Sequence, residues 1–130
     1  MFNQAFIRLL VVAFIGLISS VAHALTIDDY DPAMIKKAQA AGQSYVLAFH
    51  ADWCPTCKAQ AKVFEQLKSD PVFKHVTIYN VDYDGEIELK KQLKVRGQST
   101  LIAYKGAKET ARSVADTSVD GLKKILFKSF

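Results

Sequence analysis

Cys54 and Cys57 are the only cysteines in this 130-residue chain, and two residues separate them. They lie in Phe49-His50-Ala51-Asp52-Trp53-Cys54-Pro55-Thr56-Cys57-Lys58, a stretch that also carries the single tryptophan. An apolar run, residues 45–49, leads into the pair with the look of a strand, and a helical pattern, residues 58–67, leads out of it. A strand therefore hands a Cys-x-x-Cys to the start of a helix. Unpaired amide N–H groups and a partial positive charge gather at that end of a helix. A thiol placed there loses its proton more readily, and the thiolate is the form that attacks disulfides. The spacing lets the second sulfur fold back onto the first within one turn, so the pair can hold a disulfide or two thiols.

The bland alternatives are a structural staple and a metal site. A staple that encloses two residues constrains the unfolded chain very little, so its entropic benefit is small. Zinc is a common use of Cys-x-x-Cys, but the chain has no second pair. His50 and His75 are the histidines left outside the first 24 residues, too few for an obvious four-ligand set in one chain. No resident metal is expected. A metal-binding or delivery module, in which Cys54, Cys57 and His50 bind soft copper(I) or zinc together with a second chain or a client, is the alternative.

Residues 1–24 have the pattern of a secretory signal peptide. Arg8 and the amino terminus supply positive charge, residues 9–18 are unbroken apolar chain, and Ala22-His23-Ala24 fits the small-x-small cleavage rule. The apolar segment is short for a membrane span, which needs roughly 20 residues. Cleavage near Ala24 would leave residues 25–130 as one domain without a membrane span, in the periplasm or secreted, where disulfides form and persist. The net charge of +4 is mild, and the lysines are spread over several segments. No basic stripe interleaved with aromatics argues for nucleic acid.

The elements that must position the pair follow in order. Residues 25–30 make a short edge strand. Asp31-Pro32 caps and opens a helix over 33–41, with Met34, Ile35 and Ala38 inward, and Gly42 stops it. Residues 44–50 form an apolar strand without alternation, as expected when both sheet faces are covered. The helix after Cys54 reaches about residue 68, with Ala61, Phe64 and Leu67 facing the sheet, and residues 70–73 make a short turn. A strand spans 76–81 and a helix spans 86–93, with Ile87 and Leu93 inward. A strand at 100–104, a hairpin turn at 105–108 and a strand at 109–114 come next. Ser118 caps a last helix over 119–128. This order predicts a mixed sheet with helices on both faces. The cysteines would lie beyond the carboxyl end of a strand, where ligands of open α/β sheets bind.

Order and motif together resemble the thioredoxin superfamily over nearly all of residues 25–130. The most specific part is residues 51–58, Ala-Asp-Trp-Cys-Pro-Thr-Cys-Lys, whose start is similar to the exported thioredoxin-like domains of the Dsb disulfide-handling system. Asn80-Val81-Asp82, Val95-Arg96-Gly97 and Lys105-Gly106 add to it. The resemblance implies a thioredoxin fold of class α/β, a central mixed sheet of four to five strands flanked by helices on both faces. It implies a thiol–disulfide oxidoreductase with no cofactor beyond the redox-active disulfide Cys54–Cys57. Its partners would be cysteine-containing client proteins and a membrane or periplasmic redox donor. In this reading Cys54 attacks from the exposed helix start, and Cys57, more buried, resolves the mixed disulfide. Trp53, Pro55, Thr56, Ser99 and Thr100 would form the docking surface for substrate.

The chain departs from the family in three places. Ser99, in Gly97-Gln98-Ser99-Thr100, stands where the family has a cis-proline, so either this loop is trans or it holds an unusual bond. A binding module that kept the fold and lost turnover through Ser99 is the third reading. The family's buried acid and nearby lysine fall on Ala48 and Ile78, which removes the usual proton acceptor for Cys57. His50, whose pKa class suits proton transfer near neutrality, is the candidate substitute. Lys62 replaces a kinking proline in the long helix, and a straighter helix is expected.

Overall fold

The strands and helices follow one another as β1 (Thr26–Asp29), α1 (Pro32–Ala40), β2 (Ser44–His50), α2 (Pro55–Leu67), β3 (Val76–Asp82), α3 (Ile87–Leu93), β4 (Thr100–Lys105), β5 (Lys108–Val114) and α4 (Val119–Phe127). A 3-10 turn, Pro71–Phe73, joins α2 to β3. The structure is a computed structural model, and it describes residues 24–130. The expected leader, residues 1–24, lies outside the described residues except for Ala24. No helix among the described residues is long and apolar enough to cross a membrane.

The strands form one five-stranded sheet in the order β1-β3-β2-β4-β5. The β1, β3 and β2 strands run parallel, β4 pairs antiparallel with β2, and β5 pairs antiparallel with β4. β2 is central, and six of its seven residues are buried. Its alternate side chains feed two cores, as the period of a strand requires. Val46 and Ala48 join Ile78, Leu101 and Ala103 beneath Phe64 and Leu67 of α2 and Leu122, Ile125 and Leu126 of α4. Tyr45, Leu47 and Phe49 join Tyr79, Val81 and Ile102 beneath Ile35 and Ala38 of α1, with Leu89 and Leu93 of α3 packed alongside. Ala48 and Ile78 are thus ordinary core residues, apolar neighbours in an apolar layer.

Two helix faces differ from the sequence expectation. Met34 is 42% exposed and Ile87 is 53% exposed, so neither belongs to the core. α1 and α3 are short, nine and seven residues, and each rests on the sheet through a narrow stripe. In α1 that stripe is Ile35 and Ala38, which leaves Met34 at the rim. In α3 it is Leu89 and Leu93, and Ile87 at the helix start falls outside it.

The topology brings three chain segments to one end of the sheet. β2 ends at His50, β3 ends at Asp82, and β4, running the other way, begins at Thr100. The registers His50↔Asp82 and Ala48↔Leu101 place these ends side by side. The residues just outside them, 51–57, 83–86 and 96–99, build the site.

Candidate active site

Cys54 sits where local bonding makes a helix start. Its N–H donates to the Ala51 carbonyl at 3.1 Å, which closes the turn after β2. Its own carbonyl accepts the Lys58 N–H at 3.1 Å. Cys54 is the N-cap of α2, and its Sγ accepts the Cys57 backbone N–H at 3.1 Å. Pro55 follows in the first helical turn, where a missing N–H costs nothing and a fixed φ suits the helix. A sulfur thus does what a serine or aspartate oxygen usually does at a cap.

Ser99 arrives from the far side. Its N–H donates to the Phe49 carbonyl at 2.8 Å, and its carbonyl accepts the Ala115 N–H at 3.1 Å. The Gln60 side chain, on α2, donates to the same carbonyl at 3.2 Å and to the Asp116 carbonyl at 2.9 Å. There is no cis peptide bond among the described residues, and Ser99 takes a left-handed backbone with φ 63°. The hydroxyl of Ser99 lies 3.3 Å from Cys54 Sγ and 3.1 Å from Cys57 Sγ. The thiol of Cys57 also faces the Phe49 carbonyl at 3.8 Å.

Both cysteines are free thiols and both are buried, Cys54 at 1% and Cys57 at 2% exposure. The expected contrast between an exposed Cys54 and a covered Cys57 is absent. Ala51, Cys54 and Cys57 form a small apolar cluster with Tyr83 packed against it. The Lys90 ammonium sits 3.8 Å from the centre of the Tyr83 ring, which helps hold that ring. What separates the thiols is bonding. Burial pushes the Cys54 thiol up, but hydrogen bonds from Cys57, from the Ser99 hydroxyl and from the backbone at Cys57 and Thr56 outweigh it. The net result lies below the ordinary thiol value. Burial pushes the Cys57 thiol up as well, and its bond to Cys54 and the charge forming there push it further, so Cys57 holds its proton. The pair is therefore a nucleophile beside a protonated partner.

The remaining site residues are distributed around this centre. Trp53 is 59% exposed, and its indole N–H donates to Asp84 Oδ2 at 2.8 Å. Asp84 belongs to the turn after β3, which Asp82 braces by accepting the Asp84 N–H at 3.1 Å. Beside Trp53 runs a cleft of about 490 Å³, whose lining includes Tyr30, His50, Asn80 and Asp82. Pro55 is exposed and Thr56 half-buried, both beside the thiols in sequence and in space. Ser99 and Thr100 are each 2% exposed. Ser99 faces the sulfurs, and Thr100 donates its hydroxyl to the Gly97 carbonyl at 2.7 Å. His50 is turned into the cleft and pairs with Asp52 at 3.4 Å, while Ser99 holds the sulfurs. Among the described residues no three His, Cys, Asp or Glu side chains converge as a metal set.

Sequence reasoning did not single out Gln60, Tyr83, Asp84 or Asp116. Gln60 had a signal: a polar residue on the helix face that carries Phe64 and Leu67 needs buried partners, and here it is 4% exposed with two. The others act through contacts between distant parts of the chain, which no local pattern encodes.

Comparison with known proteins agrees with this geometry. The thioredoxin family model matches residues 22–128. A thioredoxin of Chlamydia trachomatis serovar D is 37% identical over 83 residues, 64% of this chain and 79% of that protein. Protein disulfide-isomerase of Gallus gallus is 29% identical over a stretch covering 88% of this chain and 25% of that much longer protein. The crystal structure of Trxlp from Edwardsiella tarda superposes with a TM-score of 0.74 at 33% identity, covering 78% of this chain and 98% of the other.

Proposed function

Since the chain belongs to the thioredoxin family and is a thiol–disulfide oxidoreductase, we propose that it does this work outside the cytoplasm, on disulfides of exported client proteins, through Cys54 and Cys57. The observation that carries the reading is the asymmetric dithiol: Cys54 favours the thiolate at a helix start, and Cys57 stays protonated one turn away. Cys54 thiolate attacks one sulfur of a client disulfide. A mixed disulfide forms and the client's other sulfur leaves with the electron pair. Cys57 then attacks Cys54 Sγ, the mixed disulfide breaks, and the client departs as a dithiol. The reverse sequence oxidises a client.

No group beyond the Cys54–Cys57 disulfide is required. Trp53 and Pro55 stand exposed beside the pair, and Thr56 is half-buried there, so a client docks along this side. With Ser99 and Thr100 buried, the loop that carries them offers a client the exposed Arg96 and the half-buried Gly97 and Gln98. The extracytoplasmic placement rests on the leader pattern of residues 1–24. The family match begins at residue 22, past the apolar stretch of that leader. A membrane or periplasmic donor would restore the dithiol after each turnover.

The test is a redox titration of residues 25–130 against glutathione, read by alkylation and mass, together with Cys57→Ser expressed with its leader. A reversible Cys54–Cys57 couple and clients trapped on Cys54 in the cell envelope are expected. A potential near about −270 mV would mark a reductant, and one near about −120 mV a strong oxidant. No reversible couple, or trapping confined to the cytoplasm, overturns the reading.

A further inference from the structure

We propose that the Ser99 hydroxyl is the catalytic proton carrier of the resolving step, taking the proton of Cys57 as Cys57 attacks Cys54 and giving its own to the client sulfur that leaves Cys54. This rests on the oxidoreductase reading and adds a residue to its chemistry.

Geometry is the first argument. The Ser99 Oγ stands 3.3 Å from Cys54 Sγ and 3.1 Å from Cys57 Sγ. A hydroxyl has one proton to donate and two lone pairs to accept with, so one rotation lets it donate to either sulfur while accepting from the other.

The second argument is how much structure holds it there. Ser99 keeps a left-handed backbone that a side chain adopts only under constraint. The constraint is visible as the bonds to Phe49, Ala115 and Gln60. With the backbone held in that region, the hydroxyl is delivered to the sulfurs and away from solvent. An observed strain at a reacting centre is the usual sign that position matters there.

The third is the absence of a rival among the described residues. The position where the resemblance expects a buried acid is Ala48, and here it is an apolar core residue. His50 faces the cleft and pairs with Asp52. Asp116 binds Ser118 through its side chain and reaches the site only as a backbone carbonyl held by Gln60. Tyr83 packs on the pair through its ring.

The step balances. In the mixed disulfide, Cys54 Sγ is bonded to the client sulfur and Cys57 carries a proton. As the Cys57 Sγ–Cys54 Sγ bond forms, the Cys54 Sγ–client bond breaks and its electron pair leaves with the client sulfur. The Cys57 proton moves to Ser99 Oγ, and the Ser99 proton moves to the client sulfur. The client is reduced to a thiol, the cysteine pair is oxidised, and Ser99 ends as it began. Run backwards, the client thiol gives its proton to Ser99 Oγ as its sulfur attacks Cys54 Sγ, and the Ser99 proton moves to Cys57 as the Cys54–Cys57 bond breaks.

Ser99→Gly tests this, because glycine adopts a left-handed backbone freely and the change removes only the side chain. Single-turnover measurements in H₂O and D₂O separate two rates: attack of Cys54 on a chromogenic disulfide, read in a Cys57→Ser background, and release of the second thiol, read with both cysteines present. In Ser99→Gly, release should slow by about a hundredfold, the scale of a lost proton-transfer group, and its solvent isotope effect should change. Attack should slow less. Ser99→Asn, which also tolerates the left-handed region, offers a polar group and should recover part of the release rate. A folded Ser99→Gly whose release rate and isotope effect match the unaltered protein overturns the proposal, as does slowed release in His50→Ala with none in Ser99→Gly. If Ser99→Gly does not fold, the Asn variant decides on the same readouts. Were the unaltered protein to release no thiol at all, the oxidoreductase reading would fall first. Release that is intact in the unaltered protein and in Ser99→Gly removes only the relay.

Discussion

Two turns meet at the sulfurs, and they are held by opposite means. The turn of residues 51–57 is held by its neighbours in sequence: Cys54 N–H to Ala51, Lys58 N–H to Cys54, Cys57 N–H to the Cys54 sulfur, with Pro55 fixing the first step of α2. The turn that ends at Ser99 is held by residues from elsewhere: Phe49 on β2, Gln60 on α2 and Ala115 after β5. The first takes its backbone bonds from its own stretch of chain. The second exists only once the sheet is assembled. Chemistry that needs a thiolate can be prepared locally, whereas chemistry that needs a hydroxyl shared by two sulfurs must be assembled by the fold.

That difference predicts where substitution is most damaging. Ser99→Pro, which would bring the loop nearer to the family's sequence, should be the most disruptive change to stability. The proline ring excludes the positive φ that Ser99 holds, and proline has no N–H to give Phe49. The loop must then rearrange, and the buried Phe49 carbonyl loses the Ser99 N–H, keeping the long contact with the Cys57 thiol. The cost should exceed the roughly 1–3 kcal/mol of one unsatisfied buried group. Urea unfolding of the two proteins side by side measures it. An equally stable Ser99→Pro would mean that the loop has a second conformation close in energy, and the contrast between the turns would weaken.

Gln60→Leu comes next. It preserves volume on α2 but withdraws the donor shared by the Ser99 and Asp116 carbonyls. A loss of about 1–3 kcal/mol is expected, with the loss of activity exceeding what the unfolded fraction explains, because the Ser99 carbonyl is then held by the Ala115 N–H without the Gln60 donor. Unfolding curves and release rates on the same samples separate the two effects.

This contrast also explains what was legible from sequence. The turn of residues 51–57 could be read directly, because its structure is a consequence of adjacent residues: a short strand of large apolar side chains, a proline at a helix start, two cysteines one turn apart. The alternation of strands and helices was legible for the same reason, since hydrophobic period is local. Met34 and Ile87 were misplaced because period identifies an apolar face without saying how much of it a short helix covers. The Ser99 turn was legible only as a departure, a serine where a proline was expected. Its conformation depends on Phe49 and Gln60, which come far earlier in the chain, and a linear pattern holds no record of that proximity. His50 is a candidate proton acceptor by residue type alone; its pairing with Asp52, two residues on, is a feature that residue type does not reveal.

A smaller effect concerns the thiols themselves. Cys54 should be alkylated by iodoacetamide with a pH midpoint below that of a free cysteine, since its folded value is lowered. Falling pH therefore removes its reactivity later than it does for an ordinary thiol. Cys57, raised by burial, should react only at higher pH or after unfolding. Mass spectrometry of peptides labelled across a pH series reads both. Equal midpoints would mean that the hydrogen bonds to Cys54 do not outweigh its burial in solution.

The smallest effect expected is at Asp84→Ala. The indole N–H of Trp53 donates to this carboxylate on the exposed rim of the cleft. Both residues are solvated, so water replaces the lost bond and stability should change by less than about 1 kcal/mol. The indole should nevertheless lose its fixed orientation, visible as a red shift and lower anisotropy in the emission of the chain's single tryptophan. If Trp53 orients clients, KM should rise while the release rate of bound substrate stays constant, because the two turns around the sulfurs are untouched. A fall in the release rate would instead tie Asp84 to the cysteine turn through the segment after β3, where the Tyr83 N–H already donates to the His50 carbonyl at 2.9 Å. That turn would then depend on the assembled fold as the Ser99 turn does.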